Sequence, residues 1–105
     1  MTERQTDRHE DLAKIKLRLY VAGRAPNSAR ALANLETIRE EYGVERFEVE
    51  VIDVLDEPLR ALHDRVLVTP TLIKLSPQPV MQIAGDLSRR YDVLHALGLD
   101  PWTET

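Results

Sequence analysis

The chain has 105 residues, 43% hydrophobic and 30% charged, which predicts one small soluble domain with a modest core. Its net charge of −4 argues against a nucleic-acid partner, and because it has no cysteine, disulfides, thiol catalysis and thiolate metal sites are excluded. No apolar run approaches the roughly 20 residues that span a bilayer, and the mixed-charge start is unlike a secretion leader, so we expect a cytoplasmic protein that does not enter membranes.

The first half of the chain predicts a β-α-β unit. Residues 1–13 are charged and nearly without apolar side chains, so we expect a flexible tail. From residue 15 to 21 aliphatic and polar residues alternate, which is typical of a strand. After a break in which Asn27 or Ser28 is suited to cap a helix, a 14-residue helix is predicted to end at Gly43. Its apolar stripe consists of Ala31, Leu32, Leu35, Ile38 and Tyr42.

Residues 47–55 then predict a second strand, parallel to the first and reached by a right-handed crossover. Pro58 is suited to the first position of a helix, so we expect a short helix from residue 59 to about 65, with Leu59 and Leu62 among its few apolar anchors. Asp53 invites a catalytic interpretation, but a hydrogen-bonded carboxylate at the strand end is the simpler one.

A hairpin and a last helix complete the pattern. Residues 71–75 and 80–84 are short apolar runs separated by breakers, and a cis bond at Thr69-Pro70 would turn the chain sharply before the hairpin. A last helix is predicted to open at residues 85–88 and to present one apolar face: Leu87, Tyr91, Leu94 and Leu97. We expect residues 14–99 to form the domain and residues 100–105 to form a tail that contains Trp102.

The element order β-α-β-α-β-β-α is an α/β order that resembles thioredoxin, with Pro70 in the place of its cis proline. Redox members of that fold have a Cys-x-x-Cys pair between the first strand and the first helix. Here residues 24–28 read Arg-Ala-Pro-Asn-Ser, so redox exchange is excluded. His9, His63 and His95 are scattered, so no metal site is expected, and we predict no catalytic and no cofactor-binding residue.

Six stretches in register resemble the KaiB family of circadian clock proteins. They are residues 16–23, residues 26–28 with 30–32, residues 51–55 with Pro58, residues 69–72, Pro77 with residues 79–80, and residues 85–88. The likeness as a whole covers about residues 16 to 97. The resemblance implies a protein that is not an enzyme and needs no cofactor. It implies binding to the N-terminal ATPase ring of KaiC, an ATPase with autokinase and autophosphatase activity, as well as recruitment of KaiA and displacement of a clock-output histidine kinase.

The resemblance also implies two folds for one sequence. KaiB proteins have a resting form, β-α-β-β-α-α-β, in a tetramer or dimer, and a thioredoxin-like monomer that binds KaiC. The structural residues of such a switch would be Pro70, Pro77, Pro79, Gly85, Asp86 and Ala96. Isomerisation at X-Pro bonds takes tens to hundreds of seconds, which would make the exchange slow. Because alanine is favoured over glycine inside a helix, Ala96 tilts the chain toward the thioredoxin-like form.

Three cations match family positions and are the predicted partner-binding residues: Arg30, Arg65, which replaces a lysine, and Lys74. Where the cyanobacterial pattern has Arg-Arg, this chain has Met81-Gln82. That departure weakens the expectation of a KaiA-type assembly more than that of the KaiC contact.

Two other interpretations remain open. The segment from Val68 to Leu72 also resembles the glutathione-binding segment of glutathione transferases, although the hairpin is not followed by the Ser-Arg or Glu-Ser pair that those enzymes use for the γ-glutamyl group. Alternatively, the chain is a constitutively monomeric sensor domain that docks to a histidine kinase without changing fold. Retention on a glutathione column would favour the first, and a monomer at every concentration would favour the second.

Overall fold

The computed structural model describes residues 14–99, which form a four-stranded sheet with helices on both faces. The strands are β1 (Ile15–Val21), β2 (Phe47–Asp53), β3 (Thr71–Ser76) and β4 (Met81–Ala84), and the helices are α1 (Pro26–Tyr42), α2 (Pro58–His63) and α3 (Arg90–Leu97), with a 3-10 turn at Val44–Arg46. The order β-α-β-α-β-β-α confirms the predicted fold class. The predicted tails, with His9 and Trp102, lie outside the described residues.

The strands lie in the order β2-β1-β3-β4. β1 and β2 are parallel, with Ile15 opposite Phe47, because α1 carries the chain back to the same end of the sheet. β3 is antiparallel to β1, and β4 closes the predicted hairpin against β3. Within residues 14–99, β2 and β4 are therefore the sheet edges.

The larger core lies between one face of the sheet and helices α1 and α3. The alternation in β1 directs its aliphatic residues to this face, where they meet the apolar faces of the two helices. The buried members are Ile15, Leu17, Leu19, Val21, Ala31, Leu35, Ile38, Phe47, Leu72, Leu87, Val93, Leu94, Leu97 and Leu99.

The opposite face is covered by α2 alone among the described helices, and its core is small. Tyr20, Ile52 and Ile73 project from the sheet and pack with Ala61 of α2. Tyr20 lies on the face of β1 opposite to that of its aliphatic residues, and it is fully buried there.

Two predictions for α1 were wrong. The helix begins at Pro26, whose missing N–H costs nothing at a first helical position. Neither Asn27 nor Ser28 caps it. Instead the Ser28 hydroxyl accepts a hydrogen bond of 3.0 Å from the Ala22 N–H at the end of β1. Leu32, assigned to the apolar stripe, is more than one-third exposed.

Two further corrections concern the second half. In α2 the predicted anchors Leu59 and Leu62 are exposed, and Ala61 faces the sheet instead, because a six-residue helix presents little more than one side chain to a flat surface. α3 starts at Arg90 rather than at residues 85–88, and Tyr91 is exposed while Val93 and Ala96 join its buried face.

Candidate interaction surface

Four leucines on α2 and in the loops beside it are exposed to solvent. Leu59 and Leu62 are 76% and 72% exposed on the helix, and Leu55 and Leu67, from the loops that flank it, are 72% and 91% exposed. Val68 follows Leu67 and is also exposed. We call Leu55, Leu59, Leu62 and Leu67 the leucine patch. Contiguous exposed apolar groups often mark surfaces that other macromolecules cover, which makes this segment a candidate interaction surface.

The geometry of α2 explains why these leucines face solvent. Leu59 and Leu62 are three residues apart and so share one side of the helix, whereas Ala61 lies on the other side, against the sheet. A helix can approach a sheet closely when its contact residue is alanine. The same rotation that buries Ala61 turns both leucines outward.

A polar network lies beneath α2 and joins it to β1. The Tyr20 hydroxyl hydrogen-bonds the Asp64 carboxylate and also lies 3.1 Å from the Arg60 carbonyl oxygen. Arg18 Nη1 is 2.8 Å from Asp64 Oδ2. The Gln82 side chain on β4 donates to the Asp64 carbonyl at 3.0 Å. Asp64, directly after α2, therefore contacts two strands.

Glu50 on β2 extends the network across the sheet. Its two carboxylate oxygens bind different arginines, Arg18 at 3.2 Å and Arg60 at 2.8 Å. Glu57, just before α2, adds a longer contact of 3.5 Å to Arg60. β1 and β2 are thus joined to both ends of α2 through alternating charges, and β4 is joined through the uncharged Gln82 amide.

The network changes the ionisation of its members. Burial, with the hydrogen bond to Asp64, raises the pKa of Tyr20 to about 12, so the phenol stays protonated near neutral pH. Burial opposes ionisation of Asp64, but the hydrogen bonds from Tyr20 and Arg18 outweigh it and lower its pKa. Hydrogen bonds from Arg60 and Arg18 likewise lower the pKa of Glu50.

The junction between β1 and α1 is closed by hydrogen bonds. Asp53 Oδ1 accepts from the Gly23 N–H at 3.1 Å and from the Leu55 N–H at 2.9 Å, which confirms the predicted hydrogen-bonded carboxylate at the strand end. Ser28 is 1% exposed and bonded to Ala22. This junction therefore offers no exposed nucleophile where redox relatives of the fold have cysteine.

The predicted partner-binding residues lie in different layers. Arg30 is on exposed α1 surface, 2.7 Å from Asn27 Oδ1, and Arg65 is exposed directly after α2. Lys74, in β3, is only 4% exposed, so little of its side chain is accessible to a partner in this conformation. Arg65 is therefore the predicted cation that lies beside the leucine patch.

The predicted switch residues lie mainly in and around the hairpin. The bonds preceding Pro70, Pro77 and Pro79 are all cis, and Gly85 has φ +112°. Hydrogen bonds from Ser88 lower the pKa of Asp86, with a smaller contribution from Arg30. Ala96 is buried inside α3.

Sequence reasoning missed the leucine patch and the network around Asp64. The sequence pattern predicts Leu59 and Leu62 as apolar anchors of α2, although Arg60 and His63 beside them indicate a mostly solvated helix. No local sequence pattern predicts the contacts of Asp64, because its partners Arg18 and Tyr20 are 46 and 44 residues away along the chain.

Residues 14–99 hold neither a cluster of metal ligands nor a membrane span. No group of three or more histidine, aspartate or glutamate residues there could hold a metal ion. None of the helices in that range is both long and apolar enough to cross a membrane.

Comparison with known proteins finds relatives that are about half identical to this chain over most of its length. The KaiB domain family model matches residues 18–99. The circadian clock protein KaiB3 of Synechocystis sp. is 46% identical over 90 residues, covering 86% of each chain. The circadian clock oscillator protein KaiB of Gloeothece citriformis is 52% identical over 84 residues, covering 80% of this chain and 77% of the relative.

Solved structures share the fold at lower identity. The N-terminal domain of Synechococcus elongatus SasA has a TM-score of 0.67 and 24% identity, over 84% of this chain and 87% of that domain. The Drosophila melanogaster thioredoxin Deadhead has a TM-score of 0.65 and 16% identity, over 91% and 92% of the two chains. The fold is therefore thioredoxin-like.

Proposed function

The chain belongs to the KaiB family of circadian clock proteins, and from that premise we propose that it is a regulatory adaptor that binds the N-terminal ATPase ring of a KaiC-type ATPase and modulates its phosphorylation cycle. The single observation that carries the proposal is the leucine patch, which leaves four large apolar side chains exposed around α2. The protein needs no catalytic group for this role.

The chemistry of the leucine patch fits a protein partner. Burying one leucine side chain contributes about 1.5–3 kcal/mol, so two or three of them supply much of the energy of a specific contact. Exposed Arg65 lies at the rim of the patch and can pair with an acidic group of the partner at the edge of the interface. Interfaces combine an apolar centre and a polar rim in this way.

We further propose that binding is linked to a change of fold in the second half of the chain. Of the six described residues of α2, Ala61 alone is buried, and the apolar residues of the sheet that its departure would uncover form the smaller core, Tyr20, Ile52 and Ile73. Two arrangements that differ by a few kcal/mol are enough for a switch. The resting form is then the β-α-β-β-α-α-β tetramer or dimer.

The test is a double substitution of the patch, Leu59→Ser with Leu62→Ser, and a binding titration with a KaiC-type ATPase hexamer in the presence of ATP. We expect affinity to fall at least about tenfold, because two buried leucines are lost from the interface. The stability of the thioredoxin-like form should change little, since both side chains are exposed in it.

The matched control is Tyr91→Ser, which removes a similarly exposed apolar group, 71% exposed, from α3. It should leave the affinity unchanged. If the double variant binds as tightly as the unmodified protein, α2 is not the docking face and the proposed function loses its main support.

A further inference from the structure

α2 carries half of the leucine patch but is attached to the sheet by little apolar contact. Ala61 is its one buried residue among Pro58–His63. Each of the other two described helices, α1 and α3, buries four residues. Hydrophobic burial therefore holds α2 through one side chain of its own against Tyr20, Ile52 and Ile73, a smaller core than the one under α1 and α3.

Polar contacts replace the missing apolar ones, and they converge on Asp64. Its carboxylate accepts from the Tyr20 hydroxyl and from Arg18 at 2.8 Å, and its carbonyl accepts from Gln82 at 3.0 Å. The Asp64 side chain is 17% exposed and that of Arg18 is 23% exposed. At such partly buried positions hydrogen bonds to charged groups are among the stronger ones.

Tyr20 is the member of this group whose hydroxyl loses both of its protein acceptors when α2 leaves. It is fully buried, between Ile52, Ile73 and Ala61, and its one hydroxyl proton is shared between Asp64 and the Arg60 carbonyl. Both acceptors belong to α2 or follow it directly. When α2 leaves, the hydroxyl bonds water instead, so the hydrogen bonds that offset its burial exist only while α2 lies on the sheet.

We propose that Tyr20 and Asp64 form a polar latch that fastens α2 to the sheet, so that α2 and the leucines on it open and close as a unit separate from the main core. The evidence for the latch is the set of hydrogen bonds that Asp64 and the Arg60 carbonyl make with the sheet. Its consequence, that opening withdraws the docking face or begins the change of fold, rests on the proposed function.

The latch predicts which amide groups respond to its removal. Val66 N–H bonds the Ala61 carbonyl at 2.8 Å, and Asp64 N–H bonds the Arg60 carbonyl at 3.0 Å. These amides are protected only while α2 is formed. The amides of β1 belong to the larger core and should exchange through opening of the whole domain.

The test is amide hydrogen exchange, followed residue by residue by NMR on the full chain without a partner, at a protein concentration at which light scattering finds the thioredoxin-like monomer. In Tyr20→Phe and in Asp64→Asn, exchange of the backbone amides at positions 64 and 66 should accelerate on the order of tenfold relative to β1 amides. In the double variant the acceleration should be smaller than the product of the two single effects, because both remove one shared bond.

Matched controls separate the latch from a general loss of charge or hydroxyl. Tyr91→Phe and Asp92→Asn alter exposed side chains of α3 and should leave exchange in α2 unchanged. If Asp64→Asn does not fold, Tyr20→Phe, which keeps the ring in the core, carries the test.

Equal acceleration across α2 and β1, or none in α2, would overturn the latch. Failure of the unmodified protein to bind a KaiC-type ATPase would instead overturn the proposed function and leave the latch standing. The two outcomes are distinguishable because the exchange measurement uses the protein alone.

Discussion

At the scale of single residues, Arg65 ends α2 in a conformation that favours glycine. Its φ is +60°, and the N–H groups of Arg65 and Val66 bond the carbonyls of Leu62 and Ala61, which is the Schellman pattern of a helix end. α3 ends with the same pattern, but there the left-handed residue is Gly98, with φ +78°. An arginine in this position costs about 1 kcal/mol relative to glycine.

Substitution of Arg65 can therefore separate backbone strain from charge. We expect Arg65→Gly to raise the free energy of unfolding by about 0.5–1 kcal/mol, because the left-handed strain is relieved. Arg65→Ala removes the same charge but keeps the strain, so it should not stabilise. Urea unfolding of both variants checks this, and equal stabilities would contradict the assignment. If Arg65 also contacts the partner, both variants should bind the KaiC-type ATPase more weakly.

Tyr20 makes the stability sensitive to alkaline pH. Its pKa is raised to about 12 in the folded protein, above the ordinary value of about 10 for an unfolded tyrosine. Its contribution to stability is therefore complete below pH 10 and is lost as pH rises from about 10 to about 12. The difference between the two pKa values corresponds to about 3 kcal/mol at most.

We expect the free energy of unfolding to fall over that alkaline range and to fall less in Tyr20→Phe. Urea unfolding at a series of pH values measures the slope, and the ultraviolet absorbance of tyrosinate follows ionisation directly. Tyr91→Phe is the control, since Tyr91 is exposed. A slope that is identical in Tyr20→Phe would show that another group titrates there.

At the scale of elements, α2 differs from its neighbours in what attaches it. α1 and α3 pack on the larger core, which contains fourteen buried residues among positions 14–99. α2 relies on ion pairs and hydrogen bonds that involve Arg18, Glu50 and Asp64. Because such contacts depend on charge, acid should loosen α2 before it unfolds the core.

The direction of this effect of pH on the attachment of α2 follows from the pKa shifts of its carboxylates. The pKa values of Asp64 and Glu50 are lowered in the folded protein, so their contribution is present above the ordinary values of about 4 and is lost as pH falls through the folded pKa values. We expect the NMR signals of α2 amides to move or weaken at a higher pH than those of β1. In Asp64→Asn this separate change of the α2 signals in acid should become smaller. If it persists unchanged, protonation of the Asp64 carboxylate is not its cause.

At the scale of the whole molecule, the oligomeric state tests the proposed change of fold. Size-exclusion chromatography with light scattering should find the free protein as a dimer or tetramer. After hours with a KaiC-type ATPase and ATP, it should join the hexamer at up to one monomer per subunit. A protein that stays monomeric at every concentration and still binds would favour a constitutive thioredoxin-like adaptor, and one that never binds would require another partner.

The sequence by itself determined the element order and the larger core. Period-two alternation in β1 and helical spacing in α1 are local signals, and the prolines and glycines that separate elements act through their own backbone geometry. Absence of cysteine alone excluded thiol chemistry. Motifs in register were enough to identify the family resemblance, because they do not depend on contacts between distant residues.

Only the tertiary structure decided which face α2 presents and what holds it. Leu59 and Leu62 have the spacing of core residues, but a six-residue helix that meets the sheet through Ala61 leaves both exposed. Lysine is usually a surface residue, yet the position of Lys74 in β3 buries it. Asp64 meets Tyr20 across 44 residues of chain, and no local pattern encodes such a contact, because it arises when the sheet and helix come together.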